Sequence, residues 1–116
     1  MLDGAGYYRT LWDFFSLTLY PEMGDNKAME YRVTIKRRVQ KMADAMPKKE
    51  RQEFVDLAKA LRARGPVRPE FDNYSKLSAS EYHCHLSYHW VACWRHEKGT
   101  IEIEVYYAGS RENAPY

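Results

Sequence analysis

Apolar residues recur along this chain with two periods, and the switches between them mark out its elements. From Glu30 to Lys36, Tyr31, Val33 and Ile35 alternate with Arg32, Thr34 and Lys36, the period-2 signature of a half-buried strand. Val39, Met42, Ala43 and Met46 follow at helical spacing, and Pro47 both ends that helix and suits the start of another. Phe54, Leu57, Ala58 and Leu61 repeat the spacing, and Gly65-Pro66 closes the second helix. A loop runs to Asn73, and Tyr74–Leu77 reads as a short strand or edge segment. Glu81–Leu86 alternates again, with Tyr82, Cys84 and Leu86 on one face and His83 and His85 on the other. Trp90–Arg95 is a further strand, with Trp90, Ala92 and Trp94 sharing a side; core packing accounts best for at least one of the tryptophans, and a rim-facing ring could stack on a base. His96–Thr100 forms a hairpin turn in which Gly99 takes the left-handed position. The last strand sets Ile101, Ile103, Val105 and Tyr107 on one face against Glu102, Glu104 and Tyr106, before Ala108-Gly109-Ser110 breaks the pattern. Arg111 to Tyr116 is expected as a loose tail.

The order β, α, α and then three or four strands joined by short turns predicts an α+β fold. A small, twisted, mainly antiparallel sheet would carry the helical hairpin on one face, with the first strand reaching its partner across the helices.

Upstream of this pattern lies a different kind of sequence. Residues 7–20 are dense in aromatic side chains and apolar nearly all round, and a short helix stopped by Pro21 is expected there, with 22–28 as a polar linker. The division is therefore 1–28 as an N-terminal extension and 29–116 as the body. Residues 1–28 hold two basic against four acidic side chains, and 29–116 hold sixteen against twelve. Seven of the basic residues fall between Arg32 and Lys49. A basic body suits nucleic acid or an acidic partner protein, although a solvated helix face explains Arg32, Lys36, Arg37, Arg38 and Lys41 nearly as well.

The 116 residues give room for one folded domain, and 45% hydrophobic with 29% charged residues is globular composition rather than disorder. No apolar run approaches the roughly 18 to 20 residues that span a bilayer. The opening Met-Leu-Asp-Gly lacks a basic segment and a cleavage site, so a cytoplasmic protein is expected. Cys84 and Cys93 make no disulfide framework and read as small buried hydrophobes. A Cys–His nucleophile pair is disfavoured, because Cys84 alternates away from His83 and His85. Those two histidines with His89 allow a metal site on paper, yet no carboxylate sits at helpful spacing. No metal and no cofactor are expected.

Three pieces of residues 29–116 together resemble the RelE/ParE superfamily of toxins from type II toxin–antitoxin systems, and the RelE-like mRNA interferases in particular. They are the order strand–two helices–strands, the segment Lys76-Leu77 followed by Tyr82-His83-Cys84-His85-Leu86, and the ending from Val105 to Tyr116 with its Gly-x-Arg element. The resemblance implies an endoribonuclease that enters the ribosomal A site and cleaves mRNA by attack of a 2′-hydroxyl on the neighbouring phosphate. It implies a cognate antitoxin, the ribosome and mRNA as partners. Arg111 aligns with the family's phosphate-binding Arg and Tyr116 with its closing Tyr. His83 and His85 stand where the best-known member carries two lysines, which makes them acid–base candidates. A further Arg of the family should fall near His89 or Trp90, where this chain has none; Arg95 is the closest. Arg32, Lys36, Arg37, Lys76 and Arg95 complete the expected RNA- and phosphate-binding set. Two other readings share the fold: a ParE-type toxin that inhibits DNA gyrase by binding it, and a remnant that binds its antitoxin without cutting RNA.

Overall fold

The computed structural model describes residues 30–116. The helix expected over 7–20, the linker 22–28 and the boundary at Met29 lie outside the described residues. Within them the element order is β1 (Arg32–Ile35), α1 (Arg37–Asp44), α2 (Lys48–Arg64), β2 (Ser75–Lys76), β3 (Glu81–His85), β4 (Trp90–His96) and β5 (Glu102–Ser110), with a single 3-10 turn at Arg111–Asn113. The five strands form one sheet in the order β1-β5-β4-β3-β2. β1 runs parallel to β5 and every other pairing is antiparallel, so the expected α+β architecture is present.

α1 forms against its own electrostatics. Arg37 and Arg38 open it, no acidic residue occupies the first turn, and no side chain caps it; positive charge at that end opposes the helix dipole. What holds the helix is burial of Val39 and Ala43, followed by Met46, against the sheet. Gln40 adds a side-chain donation to the Ile35 carbonyl at 2.7 Å, tying α1 back to β1. α2 buries Phe54, Leu57, Ala58 and Leu61, the face expected from the spacing. Both helices cover the same side of the sheet, where Val33, Ile35, Tyr82, Cys84, Ala92, Trp94, Ile103, Val105 and Ala108 complete the core. Trp94 is its largest fully buried side chain. It stacks with Tyr82 at 6.0 Å between ring centroids, and its indole N–H donates to the Pro66 carbonyl at 3.0 Å. A buried indole needs such an acceptor, so the loop after α2 is fixed by the core itself.

The last strand departs from the expected pattern. Cys93 pairs with Tyr107 but Trp94 with Val105, so Tyr106 is an additional residue in β5, a β-bulge. Beyond it the alternation changes phase. The period-2 reading placed Tyr107 with Ile103 and Val105 on the core face; it lies instead on the face away from the helices, and Ala108 enters the core. The break expected at Ala108–Ser110 does not occur: Ala108, Gly109 and Ser110 pair with Ala92, Val91 and Trp90. Gly109 serves close approach here. A Cβ on it would sit 2.9 Å from the Tyr107 hydroxyl, which folds over the strand to donate to the Ser110 carbonyl at 2.7 Å.

Gly65 ends α2 at φ 96° and ψ −171°, a region essentially reserved for glycine. A Cβ at that position would also lie 2.8 Å from the Tyr31 ring. Gly65→Ala is therefore expected to cost about 2 kcal/mol of stability, read as a lower urea midpoint at unchanged slope. A variant as stable as wild type would show that the turn is not fixed by this glycine.

Candidate functional site

The sheet face opposite the helices carries the side chains with chemistry. His83 on β3 pairs with Cys93 on β4, which pairs with Tyr107 on β5, so all three project to that face. The main chain after β5 is held firmly enough to cross it. Arg111 N donates to the His89 carbonyl at 2.7 Å, and the Ser110 hydroxyl accepts from Asn113 N at 3.3 Å. The stretch from Arg111 is thus a 3-10 turn, where the sequence suggested a loose tail. It ends with the Tyr116 ring 4.5 Å from the His83 imidazole, centroid to centroid.

Four of the expected site residues meet here. His83 and His85 have ring centroids 5.7 Å apart. Tyr116 covers His83, which is only 8% exposed. Arg111 stacks its guanidinium on the Tyr88 ring at 4.6 Å and lies close enough to His85 to disfavour a second positive charge there. Burial, followed by the neighbouring His85, holds the His83 imidazole below the usual histidine range. Burial and then Arg111 do the same to His85, with Asp72 opposing. Burial raises the Tyr116 phenol, so it remains a proton carrier at neutral pH. Cys93 is buried on this face and its thiol is pushed up to about 12, mainly by burial; it is inert, as expected for a small hydrophobe. Among the described residues, no group of three or more His, Cys, Asp or Glu side chains is placed to hold a metal ion.

The remaining expected residues stand apart. Arg32 pairs with Glu102 at 2.7 Å, Lys36 with Glu104 at 3.5 Å, and Arg95 with Glu104 at 3.2 Å and Glu81 at 3.8 Å. They line an open cavity of about 910 Å³ at the other end of the sheet, whose lining includes His96 but not His83, His85 or Tyr116. Arg37 is exposed at the start of α1. Lys76 pairs with Tyr82 and lies 5.6 Å from its ring, on the side of the edge strand away from His83.

Three contributors to the site escaped the sequence reading. Tyr88, 67% exposed, carries the Arg111 guanidinium. Ser75 Oγ lies 3.1 Å from His83 Nδ1, and Asn73 Nδ2 lies 3.3 Å from His85 Nδ1. Only the β2–β3 register, Ser75 opposite His83, reveals the first of these contacts. Asn73 at φ 54° left a weak signal, because Asn is among the few residues that enter left-handed turns readily.

No protein-family model matches the chain, and no curated protein matches it in sequence. Among solved structures, a chain of the archaeal RelE–RelB complex from Pyrococcus horikoshii has a similar fold, with a TM-score of 0.59 and 21% identity. The likeness covers 74% of this chain and 100% of that one. The fold expected from the resemblance, the RelE-like one, is therefore the fold observed. Among the described residues no helix is long and apolar enough to cross a membrane.

The histidines predict a pH effect on stability. Their folded values lie below the usual value of about 6.5, so the unfolded chain takes up protons before the folded one does. The resulting stability is present in full above that value and declines as pH falls through it. The urea midpoint should drop between pH 7.5 and 5.5, and less so in His83→Asn. Equal declines in both proteins would remove His83 as a cause.

Proposed function

We propose that this chain is the toxin of a type II toxin–antitoxin pair and acts as a ribosome-dependent endoribonuclease that cuts mRNA in the A site. The observation that carries the reading is the meeting of Arg111, His83, His85 and Tyr116 on one patch of the sheet face opposite the helices. The fold it shares with a chain of a RelE–RelB complex supports the toxin assignment and a protein antitoxin as partner.

The chemistry that fits this patch is transesterification within RNA. The 2′-oxygen forms a bond to phosphorus while the bond to the 5′-oxygen breaks, leaving a cyclic phosphate and a free 5′-hydroxyl. Such a step needs a base for the 2′-proton, an acid for the departing oxygen, charge on the phosphate and a surface for a splayed base. Arg111 supplies the charge and can grip two phosphate oxygens. His83 and His85, whose imidazoles burial holds below the usual histidine range, are the proton-handling candidates of the patch. Tyr116, 53% exposed and ring-on-ring with His83, offers a stacking surface beside the scissile phosphate. Arg37, Arg38 and Lys41, exposed along α1, add attraction for ribosomal RNA away from the cut.

One observation favours a second reading. Arg32, Lys36 and Arg95 stand at the other end of the sheet, engaged by Glu102, Glu104 and Glu81, and lend the patch no charge beyond that of Arg111. That economy of phosphate-binding charge suits a ParE-type toxin that inhibits DNA gyrase by protein contact.

Primer extension on a reporter mRNA after induction in cells separates the readings. Wild type should give cuts inside translated codons; Arg111→Ala should weaken them about 100-fold, and Tyr116→Ala should reduce them as well. Growth arrest with intact mRNA would transfer support to the gyrase reading. No arrest would leave a protein that binds its antitoxin without cutting RNA.

A further inference from the structure

The two histidines of β3 are held differently. His83 turns Nδ1 to the Ser75 hydroxyl at 3.1 Å, and His85 turns Nδ1 to the Asn73 carboxamide nitrogen at 3.3 Å. A hydroxyl either donates or accepts, so Ser75 can accompany His83 through both protonation states. A carboxamide nitrogen only donates, so the ring nitrogen facing it must offer a lone pair. With Nδ1 bare, the single proton of His85 resides on Nε2.

The backbone delivers Asn73 to that place. It has φ 54°, and among the described residues no other residue apart from glycine has a positive φ. Immediately before it, the Asp72 carbonyl accepts from His85 N at 2.7 Å, so loop and strand are joined through the main chain beside the side-chain contact.

We infer that Asn73 is a positioning residue that keeps His85 as the neutral imidazole with its proton on Nε2, making His85 a hydrogen-bond donor to a phosphate oxygen and leaving proton transfer to His83 and Tyr116. His83 takes the 2′-proton, and the protonated Tyr116 phenol beside it gives its proton to the departing 5′-oxygen. The tautomer stands on geometry alone; the division of labour rests on the endoribonuclease reading. A neutral imidazole is too weak an acid to surrender its proton at neutral pH, but its N–H can meet charge developing on a phosphoryl group. The groups around His85 bear on the same choice. Burial and then Arg111 from the 3-10 turn disfavour a cation there, while Asp72 in the preceding loop favours one.

The test is long-range 1H–15N correlation of the histidine rings in the full chain at pH 7.5, for wild type, Asn73→Gly and Asn73→Asp, with cleavage assayed on translated mRNA in parallel. Glycine and aspartate both accept φ 54°, so the fold is spared. Wild type should show His85 Nδ1 without a proton and Nε2 with one. In Asn73→Asp a carboxylate can accept from Nδ1–H, so the His85 midpoint should move upward, with Asn73→Gly between the two. Asn73→Asp should lower kcat about 10-fold at little cost in KM. A protonated Nδ1 in wild type, or a His85 midpoint that ignores Asn73→Asp, overturns the inference. If the ring assignments hold but wild type cuts no RNA, the positioning role stands, while the phosphate role falls with the endoribonuclease reading.

Discussion

One additional residue in β5 governs what each face of the sheet can present. The bulge at Tyr106 lets Ile103, Val105 and Ala108 all point into the core while Tyr106 and Tyr107 both point away from it. Without it the strict alternation would bury Tyr107 and expose Ala108. The phase change also places Gly109 beneath the Tyr107 hydroxyl, and that hydroxyl holds the Ser110 carbonyl. Ser110 in turn accepts from Asn113, and Arg111 N reaches the His89 carbonyl. The path from bulge to Tyr116 is thus a continuous series of short contacts. Bulges re-aim side chains at the edges of functional surfaces, and this one aims the chain itself.

The two ends of the sheet face opposite the helices have opposite characters. Around the cavity by β1, every strand contributes charge, and arginine or lysine meets glutamate across each pairing. Such half-exposed pairs are worth little in stability, on the order of 0 to 1 kcal/mol, but they cancel the field that a polyanion would feel. At the other end stand two depressed histidines, a tyrosine and one guanidinium. That end therefore presents mostly neutral side chains around one fixed positive charge.

Most of the fold was legible in the chain, because periods of 2 and 3.6 are direct consequences of where side chains point. Val39 with Ala43, Phe54 with Leu61, and Tyr82 with Cys84 all lie where spacing put them. Gly99 at φ 81° and Gly65 at φ 96° close the turn and the helix that punctuation indicated. The bulge was hidden, since an unbroken alternation from Ile101 to Tyr107 looks identical whether or not the partner strand keeps step. The four residues of the patch were readable as a resemblance. Their supports were not: Ser75 and Asn73 acquire meaning only through the β2–β3 register and a loop conformation.

The position of β5 in the sheet has a consequence for how the protein comes into being on the ribosome. β5 lies between β1 and β4, yet it follows both in the chain. β1, whose partners in β5 lie 70 residues downstream, has no strand to pair with until that segment has been synthesised. α1, packed on β5, waits for the same event. Long-range parallel pairing is slow to form, and the helical hairpin must persist meanwhile with its apolar faces uncovered. Arg111 and Tyr116 leave the exit tunnel later still. The nascent chain therefore passes through synthesis with neither a closed sheet nor an assembled patch of His83, His85, Arg111 and Tyr116.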